Sequence, residues 1–238
     1  MILYDYHAAP SPRRVRMFLA EKGIEVETRQ VDLGAREQLG EAFRSVNPRC
    51  TVPALALDDG TVLCDSMAIT RYFEELRADP PLLGRGALEK ALVAEWIARC
   101  EQEGFFAVAE ALRNKARSFA DAALTGPKPY AQVPELAERG RARAGDFLAV
   151  MNERLAETAF LAGDSFTAAD ITGFIFVEFA AWVKVTPDEG QTHLIDWCRA
   201  IKARPSASAV DGAAALAAGG LAARLVEGLR RQGLSVQS

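Results

Sequence analysis

Pro53 lies inside the strand-like run Thr51-Val52-Pro53-Ala54-Leu55, where its chemistry is unusual. Proline cannot donate to a sheet ladder, so central strands normally exclude it. Most X–Pro bonds are trans, and a lone proline of this kind is typical of an edge strand. A cis bond would instead expose the backbone of Val52 to a peptide-like ligand. In its context, the motif predicts a cis Val52–Pro53 bond beside a ligand site.

Asp65 and Ser66 stand where a helix is predicted to begin. Free N–H groups and the positive end of the dipole make a helix N-terminus a binding site for a carboxylate. Asp65 supplies a partner for an ammonium group. Ser66 also has a purely structural interpretation as the N-cap of the helix. A ligand that bears both charges on one carbon, such as a γ-glutamyl group, would satisfy the two residues together.

The elements that must position these residues alternate between strand and helix over residues 1–77, in the order β-α-β-(α)-β-β-α. Ser11 is the expected N-cap of the first helix, Pro12 its first residue and Gly23 its stop. Asp58-Asp59-Gly60 predicts a hairpin turn. This pattern indicates a small α/β domain.

The rest of the chain is helical by pattern. Residues 78–87 contain Pro80 and Pro81 and are interpreted as a linker, and residues 88–238 as an all-helical domain that ends in an Ala/Gly-rich tail. The long helices are expected at 88–117, 136–157, 167–185 and 193–203. Residues 125–134, with three prolines, are expected to interrupt them.

Thr167 and Asp170 fit a capping box, since Thr167 suits the N-cap and Asp170 the third helical position. The run that follows, Ile171–Phe176, is apolar nearly all round and predicts a buried central helix. The role of this motif is therefore structural, and no part in catalysis is assigned to it.

Composition narrows the classes of function. The 238 residues carry 28 basic and 32 acidic side chains, a net charge of −4, which disfavours nucleic acid as a partner. Apolar stretches such as 171–177 are too short to span a bilayer, and the start lacks a basic signal-peptide region, so a cytoplasmic protein without a membrane partner is expected. Four scattered cysteines and two histidines predict neither disulfides nor a metal site.

Three motifs in order, T-V-P-A-L, D-S at a helix start and G-D-S-F-T-A-A-D-I, resemble those of the cytosolic glutathione transferases. The resemblance extends to about Ser206. It implies a thioredoxin-like N-terminal domain and an all-α C-terminal domain. It also implies glutathione as co-substrate, no metal, a small hydrophobic electrophile as second substrate, and a homodimer.

The same resemblance implies a role for each binding residue. Val52 would pair its backbone with the cysteinyl part of glutathione, and Pro53 would be cis. Asp65 and Ser66 would hold the γ-glutamyl group. The glycyl carboxylate would be reached by Gln38 and, as a weaker candidate, by Arg49.

The sequence departs from the family at the catalytic position. In the serine and cysteine classes the catalytic residue lies six positions before the valine of the R-V-R pattern, which here is Val15, and this position holds Ala9. The opening A-P-S-P-R-R-V-R-M-F-L-A-E-K-G is most similar to the atypical yeast-type and bacterial transferases. In those, the helix end, water and residues of the second domain activate the thiol.

Two catalytic candidates follow. Lowering a thiol pKa of about 8.5 by about two units requires roughly 2.7 kcal/mol, more than the ~0.3–1 kcal/mol a helix N-terminus typically supplies. Ser11 is one further source, through its hydroxyl or through the N–H groups at Ser11 and Arg13, although it is equally a plain N-cap. Asn114 of the second domain is the other, and its alternative is a solvated helix face. Tyr4 and Tyr6 would be next in line.

An electrophile pocket is expected from four residues of the second domain: Phe106, Arg113, Tyr130 and Trp182. Aromatic residues at helical spacing are more often core, so this assignment has a plain structural alternative. Arg13, Arg14 and Arg16 are expected to form a solvated face or part of a dimer surface.

Three functions remain open at this point. The leading hypothesis is a glutathione transferase, and a glutathione-dependent isomerase or peroxidase would need the same thiolate. The third is a glutathione-binding protein without turnover, which Ala9 keeps in consideration.

Overall fold

The N-terminal domain is a four-stranded sheet flanked by helices. In the computed structural model, which describes residues 1–209, the elements of this domain are β1 (Ile2–Asp5), α1 (Pro10–Lys22), β2 (Glu27–Gln30), α2 (Glu41–Val46), β3 (Ala54–Ala56), β4 (Val62–Leu63) and α3 (Ser66–Leu76). The strand order is β2-β1-β3-β4. β1 and β2 run parallel and the other pairs are antiparallel. The predicted order of elements and the α/β class are confirmed.

Helix α1 begins two residues earlier than expected. Ala9 rather than Ser11 is the N-cap, and Pro10 rather than Pro12 is the first helical residue. Both prolines fit, because N–H groups of the first turn have no partner within a helix. The end of α1 was predicted correctly, since Gly23 adopts a left-handed conformation with φ 60° and its N–H donates to the carbonyl of Ala20.

The C-terminal domain contains the remaining helices of the described chain. They are α4 (Gly86–Arg99), α5 (Phe106–Arg113), α6 (Pro134–Glu157), α7 (Ala168–Ala180), α8 (Thr192–Lys202) and α9 (Pro205–Ala209). A π-helical turn, Cys100–Phe105, joins α4 to α5, so the single helix expected over 88–117 ends earlier and changes its winding. The expected interruption before α6 is present. The Ala/Gly-rich tail lies outside the described residues.

The core of the C-terminal domain is built around α7, which is buried on nearly every side. The predicted capping box at its start is confirmed, with Thr167 as N-cap and Asp170 at the third position. The buried Asp170 carboxylate also accepts bonds from the N–H of Leu161 at 2.9 Å and from Nε1 of Trp197 at 3.2 Å. One carboxylate thus fixes the helix start, the preceding turn and α8.

Charged contacts join the two domains along α1, which packs against both α3 and α7. Arg13 pairs with Glu178 of α7, and Arg14 pairs with Glu101 of the π-helical turn. The expectation of a solvated arginine face was wrong, because the side chains of Arg13 and Arg14 are only 12% and 8% exposed. Their partners come from the second domain, more than eighty residues away in sequence.

Candidate functional site

The N-terminus of α1 offers one backbone donor, the N–H of Ser11, which has no partner within residues 1–209. Pro10 and Pro12 have no N–H to give. The N–H of Ala9 is bonded within the preceding turn, and that of Arg13 donates to the carbonyl of Ala9 at 3.3 Å. The expected contribution from the Arg13 N–H is therefore not available, and Ser11 alone presents the positive end of this helix.

The side chains of Ser11 and Ser66 connect α1 to α3. The Ser66 hydroxyl donates to the carbonyl of Ser11 at 2.9 Å and accepts from Nη2 of Arg14 at 3.3 Å. Arg14 Nη2 also lies 3.5 Å from the Ser11 hydroxyl. The interpretation of Ser66 as the N-cap of α3 was wrong, because Asp65 occupies the N-cap position and Ser66 is the first helical residue.

Arg14 is a buried cation at this junction that the sequence interpretation missed. Its Nη1 donates to Glu101 at 2.6 Å, and its guanidinium lies 4.6 Å from the ring centroid of Phe105. The helical spacing contained a signal for the burial of Arg14, because Arg14 and the apolar Phe18 lie four residues apart on one face of α1. The partners from the second domain could not be found from that spacing.

Asp65 presents a half-exposed carboxylate beside the start of α3. Its side chain makes no capping bond to the helix and is 54% exposed. Because no side chain caps α3, the N–H groups of its first turn remain open to an anion. This end of α3 thus offers a carboxylate and free N–H groups side by side, the two partners that a γ-glutamyl group would need.

Two neighbours of Asp65 modify this end of the site. Arg49 places Nη2 at 3.8 Å from the Asp65 carboxylate, and both side chains are more than half exposed. The assignment of Arg49 to the glycyl carboxylate stays a prediction. Burial raises the pKa of the adjacent Cys64 thiol, Arg49 opposes this and Asp65 adds to it. Cys64 therefore stays protonated at neutral pH and is a poor nucleophile.

Val52 exposes an unpaired stretch of backbone at the edge of the sheet. The Val52–Pro53 bond is cis, as predicted, and β3 begins only at Ala54. Within residues 1–209 neither the N–H nor the C=O of Val52 has a hydrogen-bond partner. A peptide backbone running antiparallel to this segment can satisfy both groups.

Gln38 lies in a 3₁₀ turn, Glu37–Leu39, before α2. Its Oε1 is buried and has no hydrogen-bond partner within the described chain. A buried amide without a partner is costly, and a polar ligand group would remove that cost. Gln38 thus remains a candidate for the glycyl end.

Asn114 is buried at the end of α5, where both ends of its amide are bonded. Nδ2 donates to the carbonyl of Glu110 at 3.0 Å, and Oδ1 accepts from the N–H of Val133 at 2.9 Å. These bonds close the loop between α5 and α6 and explain the burial of Asn114 without catalysis. A catalytic role for Asn114 stays a prediction that these contacts do not favour.

Arg113 and Tyr130 are brought together in that same loop. Arg113 lies 4.6 Å from the ring centroid of Phe119 and donates to the carbonyl of Ala122 at 2.5 Å. Tyr130 forms an isolated bridge with Ala122. Burial lowers the pKa of Arg113. Arg113 therefore stabilises the loop through its contacts with Phe119 and Ala122. Tyr130 is more open to solvent, with 45% exposure.

Phe106 and Trp182, the other two predicted pocket residues, have different surroundings. Phe106 starts α5 and is 61% exposed. Trp182 follows α7 and packs edge-on against Phe179, with 5.3 Å between ring centroids. These contacts do not connect either residue with Arg113 or Tyr130, so a common pocket for the four stays a prediction.

The loop between α5 and α6 reaches across to the first domain near the site. Gly126, with φ 113°, lies beside the segment before Val52, since a Cβ at this position would make an ordinary contact of 3.6 Å with the carbonyl oxygen of Arg49. The second domain thereby borders the segment that leads to Val52.

The described part of the chain, residues 1–209, shows neither a membrane-spanning helix nor a cluster of metal ligands. Its helices lack the combination of length and hydrophobicity that a membrane span requires. Nor does the range contain a group of three or more metal-ligating His, Cys, Asp or Glu side chains.

Comparison with known proteins identifies the family. The family models for the glutathione S-transferase N-terminal and C-terminal domains match residues 9–76 and 115–205. Glutathione S-transferase 2 of Saccharomyces cerevisiae is 34% identical over 211 residues, 87% of each chain. A maleylacetoacetate isomerase of Pseudomonas aeruginosa is 39% identical over 93 residues, 38% of this chain and 44% of that protein.

Among solved structures, a glutathione S-transferase domain-containing protein of Marinobacter aquaeolei VT8 is 37% identical. The match has a TM-score of 0.79 and covers 87% of this chain and all of that one. Both domains and their order are thus shared with proteins of known structure. The chain belongs to the glutathione S-transferase family.

Proposed function

We propose that this chain conjugates glutathione to hydrophobic electrophiles, with the Ser11 N–H as the principal donor to the glutathione thiolate. The observation that carries the proposal is the unpartnered N–H of Ser11 beside the start of α3. The Ser66 hydroxyl, at the start of α3, donates to the carbonyl of Ser11 at 2.9 Å and so holds the two helix starts together. The Ser11 N–H, the proposed activating group, therefore lies beside the start of α3, where the γ-glutamyl group is proposed to bind.

The tripeptide would be held by groups that the fold leaves unsatisfied. The exposed Asp65 carboxylate would take the γ-glutamyl ammonium, and the first-turn N–H groups of α3 would take its carboxylate. The Val52 backbone would pair with the cysteinyl residue. Gln38 would reach the glycyl end, and Arg49 can serve either carboxylate because its side chain is exposed.

One N–H and one helix end are sufficient for a useful thiolate. A hydrogen bond to a charged group contributes about 1.5–3 kcal/mol, and a helix N-terminus about 0.3–1 kcal/mol. Together they give about 2–4 kcal/mol, which lowers a thiol pKa by about 1.5–3 units. No catalytic side chain at position 9 is then required.

The reaction that follows is nucleophilic substitution or addition. The thiol proton leaves to solvent, and the thiolate sulfur forms a bond to the electrophilic carbon. In a substitution, the leaving group departs with the electron pair of its former bond. A role in detoxification follows from this chemistry as part of the proposal.

Changing Ser11 to alanine should lower kcat by roughly one order of magnitude, or about 1–2 kcal/mol, because the variant keeps the backbone N–H and loses only the hydroxyl. Ser45→Ala, at an exposed serine of α2, serves as the control and should match the wild type. Steady-state kinetics at saturating glutathione measure the effect. Complete loss of turnover in Ser11→Ala, with glutathione still bound, would show that the hydroxyl is the catalytic group.

Turnover of a generic aryl halide, measured beside glutathione calorimetry, tests the proposed activity. Conjugation with saturation in both substrates supports it. Binding without turnover would favour a glutathione-binding protein instead. The match to a maleylacetoacetate isomerase makes a cis–trans isomerase the second candidate, and isomerisation of a maleyl substrate that outpaces conjugation would support this alternative.

We expect a homodimer in solution. Large apolar side chains remain open on the described surface, with Leu88 at 74%, Phe106 at 61% and Leu76 at 60% exposure, and a partner subunit could cover them. Light scattering at micromolar concentration should give twice the mass of the chain, and a monomer mass would contradict the expectation. The cytoplasm is the proposed compartment, since all four cysteines are free, as is usual for a reducing environment.

A further inference from the structure

Asp5, at the end of β1, carries a carboxylate that is almost completely buried. Its Oδ1 accepts from Nη1 of Arg16 at 2.5 Å, and its Oδ2 accepts from Nε2 of Gln30 at 3.0 Å. Burial lowers the pKa of Arg16, and Asp5 opposes that shift through its charge and hydrogen bond. The two oxygens thus fix two side chains from different elements, Arg16 from α1 and Gln30 from β2.

Both partners of Asp5 in turn hold the backbone of His7. Arg16 Nη2 donates to the carbonyl of His7 at 2.7 Å. The N–H of His7 donates to Oε1 of Gln30 at 2.9 Å. The N–H and the C=O of one residue are therefore each clamped by a side chain that Asp5 orients.

His7 lies in the loop between β1 and α1, four residues before the Ser11 N–H. Arg16 stands on α1 itself, so its bond fixes the loop relative to the helix. Gln30 fixes the N–H of the same residue relative to the sheet. A donor stabilises a developing anion only if its direction is set in advance, because reorientation during the reaction costs energy.

We propose that Asp5 and Gln30 are positioning residues, which act through Arg16 and His7 to aim the Ser11 N–H at the glutathione sulfur. The inference rests on the proposed function. The Asp5 carboxylate orients two side chains from different elements, and both of them bond the backbone of one residue in the loop before α1. Neither residue touches the substrate, so their effect should appear in the thiol pKa and not in the affinity for glutathione.

Gln30→Ala is the decisive variant, because Gln30 is exposed on β2 and its loss removes one clamp with little effect on folding. The pKa of the bound glutathione thiol should rise by about 0.5–1 unit. At a pH below that pKa, kcat should fall about three- to tenfold, since the thiolate fraction falls in proportion. KM for glutathione should stay within about twofold. Thr28→Ala, on the same face of β2, is the matched control and should change none of these values.

Asp5→Asn is the second variant, since it keeps the shape and removes the charge that holds Arg16. Its thiol pKa should rise in the same direction as in Gln30→Ala, and thermal unfolding shows whether it folds. If it does not fold, Gln30→Ala decides alone. A lowered thiol pKa in the wild type that is unchanged in Gln30→Ala would overturn the inference. A wild type that binds glutathione without any lowered pKa would overturn the proposed function instead.

Discussion

Replacing Asp170 with alanine should lower the free energy of unfolding by about 3–4 kcal/mol. The buried carboxylate accepts bonds from the N–H groups of Leu161 and Thr167 and from the Trp197 ring, and the variant leaves these donors without a partner. Each buried unsatisfied donor costs about 1–3 kcal/mol. A domain pair of this size should then melt about 6–16 °C lower.

Asp164→Ala is the matched control, because this aspartate is exposed six residues before Asp170. Burial raises the pKa of Asp170 to about 6. Both variants are therefore compared with the wild type at pH 7.5, where the wild-type carboxylate is charged. Calorimetric or circular dichroism melting measures the difference. A loss below about 1 kcal/mol, the range of ordinary surface changes, would contradict the structural role of Asp170.

Asp65→Ala should raise KM for glutathione by about 10- to 100-fold while kcat changes little. The charge-assisted bond that it removes from the γ-glutamyl ammonium contributes about 1.5–3 kcal/mol, and that energy is present in the bound substrate as well as in the transition state. Because the Asp65 side chain is half exposed and makes no capping bond, the free energy of unfolding should remain within about 1 kcal/mol of the wild type.

Two further variants separate charge from shape at this position. Asp65→Asn keeps the size and loses the charge, so it should follow Asp65→Ala in KM. Glu75→Ala removes an exposed carboxylate from the far end of α3 and should behave as the wild type. Unchanged glutathione affinity in Asp65→Ala, measured by calorimetry, would contradict the assignment of the γ-glutamyl group to the start of α3.

Features with a local cause could be predicted from the sequence. The left-handed stop at Gly23 and the capping box of Thr167 and Asp170 depend on residues within a few positions of one another. The predicted start of α1 was wrong for an equally local reason. Pro10 and Pro12 both suit a first helical position, so the sequence allows two starts, and the structure adopts the earlier one.

Features of the site that depend on distant partners could not be predicted. Arg14 was expected in solvent because its partner Glu101 belongs to a different domain. The bond between the N–H of Val133 and the Asn114 amide was equally hidden, because nineteen residues separate the two in sequence. The cis bond between Val52 and Pro53 was easier to predict, since the type of residue and the motif around it already indicated an exposed backbone.

The pKa of the glutathione thiol in the complex tests the central claim most directly. Ultraviolet absorbance of the thiolate, followed through a pH titration with saturation confirmed by calorimetry, measures it. The account predicts a value about 1.5–3 units below the ~8.5 of a free thiol, with most of that shift retained in Ser11→Ala because the N–H remains. A thiol that binds with its pKa unshifted would contradict the claim that the start of α1 activates glutathione.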